Sequence, residues 1–351
     1  MTSQYKLRRR HALQLMAGAT SAALLHACGQ SSGDNSSASN PTANSTAKKM
    51  SLSLGTIPWV GQVPLYVAQE KGFYEEAGLD FSLKIFSSNG EYMAAFLANQ
   101  VDSISPVSSE AVVLKSQGKD FKITMVQDNS VGGDGILARD SITSIEDFKG
   151  KKIAVDTSGV SYFFLLQILK EVGLGKEDIT AVNTDPTAAA AAFQSGSVDI
   201  AVTYAPYLQQ TADAVTDGRI IYDSSKMPTA ITDLYLFDTA YIESNLEAVQ
   251  AFTNATLRGL QFLQDNRQEA LEIGAAELDI STEDLDGDLK GVKLPDQATN
   301  MEMLGDPSSD LYLANSLQEL SDFLLAEEQI ESAPADIAAL LDPQFVEAAT
   351  I

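Results

Sequence analysis

Residues able to hold a small polar molecule recur in this sequence just after short apolar alternations, where strands should end and helices begin. The first group is Pro58, Trp59 and Gln62; the second is Ser88 and Asn89 before Gly90; the third is Ser108, Ser109 and Glu110. Farther along come Asp128, Asp134, the run Thr157-Ser158-Gly159-Val160-Ser161, the pair Tyr204 and Tyr207, and Asp233. Hydroxyls and the free N–H groups of a helix start suit anions, carboxylates suit ammonium groups, and aromatic faces stack on flat or cationic groups. Thr157 to Ser161 is the better anion cradle. Glu110, Asp128 and Asp134 either face a cationic group or are solvated loop carboxylates, of which so acidic a chain has many. Trp59, the sole tryptophan, either stacks on a ligand or fills a core.

Covalent chemistry is poorly served. Both histidines, His11 and His26, and the single cysteine, Cys28, lie within the first 28 residues. The chain beyond them can build neither a Cys/His zinc site nor a Ser-His-Asp or Cys-His pair. No catalytic residue, metal or cofactor is expected, and one cysteine permits no internal disulfide.

Those first residues form an export signal: Lys6, Arg8, Arg9 and Arg10 precede an apolar stretch, Leu13 to Ala27. The stretch is shorter than the roughly 20 residues a spanning helix needs. Leu25-His26-Ala27-Cys28, followed by Gly29, resembles a bacterial lipobox, which implies cleavage after residue 27 and a lipid on Cys28. Residues 28–48, rich in Ser, Asn, Ala and Thr, read as a flexible tether. The expected product is exported and held to the membrane by its lipid, facing the periplasm or the cell exterior. The arginine run leaves the general secretory and twin-arginine routes both open. Losing the signal takes the formal charge from −25 to −29, which disfavours nucleic acid as a partner.

These binding residues need elements to carry them. Ser51 to Gly55 and Phe81 to Phe86 alternate as strands, with a helix expected from about Val63 to Glu76 and another from Gly90 to Asn99. Further strands are expected at Val101–Ile104, Lys122–Gln127, Lys152–Asp156, Thr180–Asn183, Ile200–Tyr204 and Ile231–Phe237. After these only helices follow, such as Leu246–Asp265. Strands and helices in alternation specify an α/β fold with mainly parallel sheets flanked by helices. Two such sets make two lobes, residues 49–136 with 232–351 and residues 137–231. The two crossovers would lie near Gly135–Ala138 and Thr229–Leu234. Gly72, Gly78, Gly150 and Gly196 are read as turn glycines.

Three blocks carry a family resemblance: Val63 to Leu79; Gly133 to Ile136 with Ile145 to Val155; and Phe193 to Tyr207. Together they resemble the solute-binding proteins of the nitrate, sulfonate and taurine type, related to thiamine-precursor-binding proteins. The resemblance implies a type II periplasmic-binding-protein fold that captures a small solute between its lobes. Delivery would be to the permease of an ABC importer, driven by a cytoplasmic ATPase. The alternatives are binding of a thiamine-pyrimidine precursor, binding of nitrate or bicarbonate, and a pyrimidine-synthase-like enzyme. That enzyme would need a His and a Cys-rich segment, which residues 29–351 lack. Only Arg139, Arg219, Arg258 and Arg267 remain to meet a bare anion, so a zwitterionic or amine-bearing organic solute is expected, taurine-like sulfonates first.

Overall fold

The structure, a computed structural model, describes residues 50–227 and 230–351. The export signal, Cys28 and the tether lie outside the described residues. Those described fall in one compact unit, Ala47–Ile351.

The chain starts with β1 (Met50–Thr56), β2 (Leu79–Ile85), β3 (Ser103–Ile104) and β4 (Phe121–Ser130). It then enters a second sheet with β5 (Asp134–Arg139), β6 (Lys152–Val155), β7 (Thr180–Asn183), β8 (Ile200–Tyr204) and β9 (Gly218–Asp223). It returns through β10 (Thr232–Asp238) and the two-residue β11 (Val292–Lys293). The strand orders are β11-β4-β10-β3-β1-β2 and β7-β6-β8-β5-β9. The pairings give β1 to β4 one direction and oppose β10 and β11 to them, while in the second sheet only β5 is reversed. Both strands that directly follow a crossing, β5 and β10, therefore run against their sheets.

Three expectations need correction. Residues 135–138 are not a crossover but part of β5, between β8 and β9; the chain first changes sheet at residues 131–133. Ile136, Leu137 and Ala138 are all fully buried, so β5 has no apolar–polar alternation to read. The C-terminal region is not wholly helical, since Val292 and Lys293 pair with Ser130 and Asn129 of β4. The long first helix is broken into Val63–Glu70 and Phe73–Glu76. Gly72 stands between them at φ 75°, in the left-handed region that only glycine enters freely, and the other three expected turn glycines share that region.

The C-terminal helices pack on the first sheet. Leu246–Asp265 turns Val249, Phe252, Thr256, Leu260 and Leu263 inward at helical spacing. A Cβ at Gly259 would collide with the Pro64 carbonyl, so glycine lets this helix approach Val63–Glu70. Tyr74 and Thr256 hydroxyls share a hydrogen bond of 2.8 Å beneath the contact.

Helix Gln297–Gly305 contributes Asn300, fully buried against β4 where the β4–β10 register shifts. The Val126 N–H donates to Asn300 Oδ1 (2.7 Å), and Asn300 Nδ2 donates to the carbonyls of Val126 and Pro295 (both 3.1 Å). Asn300→Ala leaves these backbone groups buried without partners, at about 1–3 kcal/mol for each unsatisfied group. We expect urea unfolding to show a loss of roughly 2–4 kcal/mol with an unchanged m value.

Candidate ligand-binding site

A small cavity lies between the sheets at the carboxyl ends of β1, β3, β6 and β8. Thr56, Ile57, Trp59, Gln62, Asn89, Tyr92, Ser105 and Val107 line it from the first-sheet side, Asp134, Val160 and Tyr204 from the second, and Ile231 and Asp233 at the return crossing. This is where open α/β sheets place ligands. Its volume of about 20 Å³ has room for roughly one water. An organic solute needs more room than the cavity has in this conformation. Two hydrogen bonds cross the gap: Gly90 N–H donates to Ser158 Oγ (3.1 Å) and Val160 N–H to Glu110 Oε1 (3.3 Å). Three larger grooves among the described residues, about 570, 650 and 440 Å³, contain none of these expected residues.

The Trp59 ring belongs to the first-sheet core and also lines the cavity, edge-to-face with Tyr204 at 5.8 Å. Its Nε1 donates to Asp128 Oδ2 (2.9 Å), as does Gln127 Nε2 (3.0 Å). The contact requires glycine at position 61, where a Cβ would strike both Asp128 Oδ2 and Trp59 Nε1. Gln62 Nε2 donates to Thr56 Oγ1 (2.6 Å) and Ser105 Oγ (3.0 Å). Both hydroxyls donate elsewhere, to the Ile57 carbonyl and to Gln127 Oε1, so the amide orientation is set. Gln62 Oε1 is left buried with no partner.

Four carboxyls gather around this cavity. Asp134 and Asp233 line it; Asp128 and Glu110 stand one layer behind, under Trp59 and Asn89. Asp128 and Asp233 face each other across the β4–β10 register. Burial, then repulsion from Asp128, Asp134 and Glu110, holds Asp233 well above the usual carboxylate range, so Asp233 keeps the proton of the pair. Burial also lifts Asp128 to about 6 against the donors Trp59 and Gln127, and Asp134 to about 7 against the Ser130 side chain. Glu110 rises to about 7 through burial, although it accepts from Tyr92 OH, Asn89 Nδ2 (2.5 Å) and the N–H groups of Val107 (3.1 Å) and Val160.

Of the expected residues, Trp59, Gln62, Asn89, Asp134, Val160, Tyr204 and Asp233 line the cavity; the others do not. Ser88 caps helix Asn89–Leu97 by accepting from Glu91 N–H (3.4 Å). Ser108 and Ser109 are buried in the first turn of Ser108–Ser116, and Ser161 is buried away from the cavity. Thr157 N–H donates to Asn183 Oδ1 (3.1 Å), and Tyr207 packs behind Tyr204 at 6.2 Å. The anion cradle is filled by the chain itself: Gly159 packs against Asn89 and Glu110, and Glu110 takes the Val160 N–H. Thr56, Ile57, Tyr92, Ser105, Val107 and Ile231 were not foreseen as lining residues. Thr56 and Ser105 sit at strand ends where the same rule finds them, but β3 has only two residues and marks its end weakly. Tyr92 reaches in from a helix, and Ile57, Val107 and Ile231 carry no polar signal.

Raised carboxyls have a stability consequence. Glu110 and Asp134 go from 4.5 and 3.8 to about 7 on folding, so their contribution is complete below the unfolded-state values and lost as pH rises through about 7. Scanning calorimetry should give a midpoint several degrees higher at pH 5 than at pH 8. The double variant Glu110→Gln/Asp134→Asn should flatten that dependence.

Comparison with known proteins agrees with this fold. A Bacillus subtilis (strain 168) protein whose name refers to aliphatic sulfonates is 27% identical over 297 residues, covering 82% of this chain and 84% of its own. The alkanesulfonate-binding protein SsuA from Xanthomonas axonopodis pv. citri, solved bound to MOPS, has a similar fold. Its TM-score is 0.68 at 17% identity, over 84% of this chain and 98% of that one. The desulfurization enzyme DSZB is also similar in fold, with TM-score 0.62 at 17% identity over 85% of this chain and 98% of that one. The architecture is that of the periplasmic binding proteins. The family model described as NMT1/THI5 like matches residues 59–270, more than half of the sequence, and the chain belongs to that family.

Proposed function

We propose that this chain is the solute-binding component of an ABC importer, exported and lipid-anchored, which closes its two sheets on a small polar organic solute and presents it to the permease. The observation that carries this reading is the cavity at the strand ends, walled from both sheets and spanned by the Gly90–Ser158 and Val160–Glu110 hydrogen bonds. Two backbone crossings leave the sheets free to move as bodies. Family membership and a relative named for sulfonates support the same class.

Catalysis is not part of the proposal, although a desulfurization enzyme shares the fold. No histidine follows His26 and no cysteine follows Cys28, so the cavity lacks the usual nucleophile–base pairs. Nitrate and bicarbonate are disfavoured by the carboxyls around the cavity. Organic solutes, either sulfonates or nitrogen-bearing compounds, are the class to test.

A thermal-shift screen of the purified protein against alkanesulfonates, amines, pyrimidines and inorganic anions should find a stabilising class. A ligand at 100 times its Kd adds about 2.7 kcal/mol. Failure of every class to move the midpoint would overturn the proposal. For the anchor, Cys28→Ala should yield exported protein that leaves the membrane fraction in a salt wash; retention of the variant would contradict a lipid on Cys28.

A further inference from the structure

We infer that the solute is an organic cation bearing N–H groups, a protonated amine or an amidinium, held between Asp134, Asp233 and Gln62. The inference rests on the solute-binding reading above and names the chemistry of that same cavity.

Charge balance is the first argument. None of the ion pairs among the described residues includes Glu110, Asp128, Asp134 or Asp233. Four buried carboxyls thus surround one cavity with no protein cation bonded to them. Such a cluster remains partly protonated in a dry site, and a ligand cation replaces those protons.

Gln62 is the second and independent observation. It is 1% exposed, lines the cavity, and has its amide turned so that Oε1 alone is unpartnered. A buried acceptor without a donor asks for an N–H or O–H from the ligand. Most of the cavity's side-chain donors are taken: Trp59 Nε1 by Asp128, Asn89 Nδ2 and Tyr92 OH by Glu110, and Ser105 Oγ by Gln127, which leaves the Tyr204 hydroxyl. A sulfonate therefore meets a cluster of carboxyls and few free donors, and the helix start that would receive it already holds Glu110. Trp59 and Tyr204 add aromatic surface, which favours a cation further.

Titration calorimetry on the purified full-length protein tests this, with butane-1,4-diamine, ethylguanidine, taurine and ethanesulfonate as probes. Diamine or guanidine should bind, ethanesulfonate should not, and Asp134→Asn and Asp233→Asn should each weaken the cation by about 10- to 100-fold, the scale of one charge-assisted hydrogen bond. Wild-type protein supplies a second readout that survives a variant's failure to fold. Cation affinity should fall about tenfold per pH unit, for each proton displaced, between pH 7 and 5.5. Asp128, Asp134, Asp233 and Glu110 are the groups that titrate around the cavity, since burial pushes the Tyr92 and Tyr204 hydroxyls well above their ordinary range. If ethanesulfonate binds and both cations fail, the inference falls while the solute-binding reading stands. If all four probes and a pyrimidine fail, the solute-binding reading falls and takes the inference with it.

Discussion

The antiparallel pairing of β10 with β4 is the contact on which the rest of the molecule depends. β10 inserts between β3 and β4 after the chain has built the entire second sheet. That insertion creates the second backbone connection between the sheets, without which the second sheet would hang from residues 131–133 alone. The same register sets Asp233 opposite Asp128, and the bridge from Asp233 to Val107 ties the return crossing to the start of helix Ser108–Ser116. The second connection between the sheets and one wall of the cavity are thus consequences of one strand pairing between segments about a hundred residues apart.

Elements whose burial has a period were legible in the sequence. Phe81 to Phe86 and Leu246 to Asp265 show their faces directly, because one side meets core and the other water. β5 has no such contrast, since Ile136 to Ala138 are buried on both sides, and the first crossing was consequently placed inside a strand. Strand-end logic picked out seven of the residues that line the cavity. It could not foresee which side chains would be consumed by others. Ser88 is a helix cap, and Asp128 is the acceptor that orients Trp59. The filled anion cradle was the least legible feature, because Glu110 and Val160 are fifty residues apart and meet only when two sheets face each other.

Acidity has two meanings in this chain. On the surface, carboxylates are hydrated and give the chain a negative field that repels anions. Within the cleft the same residue type is deprived of water and leans toward the neutral form. The formal charge of −25 therefore overstates the field inside the cavity, where part of the negative charge is stored as protons until something better arrives.

Glu110 also acts on ligands it never touches. Its carboxylate sits on the Val160 N–H at the head of helix Val160–Glu171, a position that free anions ordinarily seek. A group tethered to its own target is present at an effective concentration of millimolar order or above. An anion drawn to that helix start has to displace the resident carboxylate first. Glu110 thus works as a built-in competitor, lowering the apparent affinity of that helix start for anions rather than closing it to them.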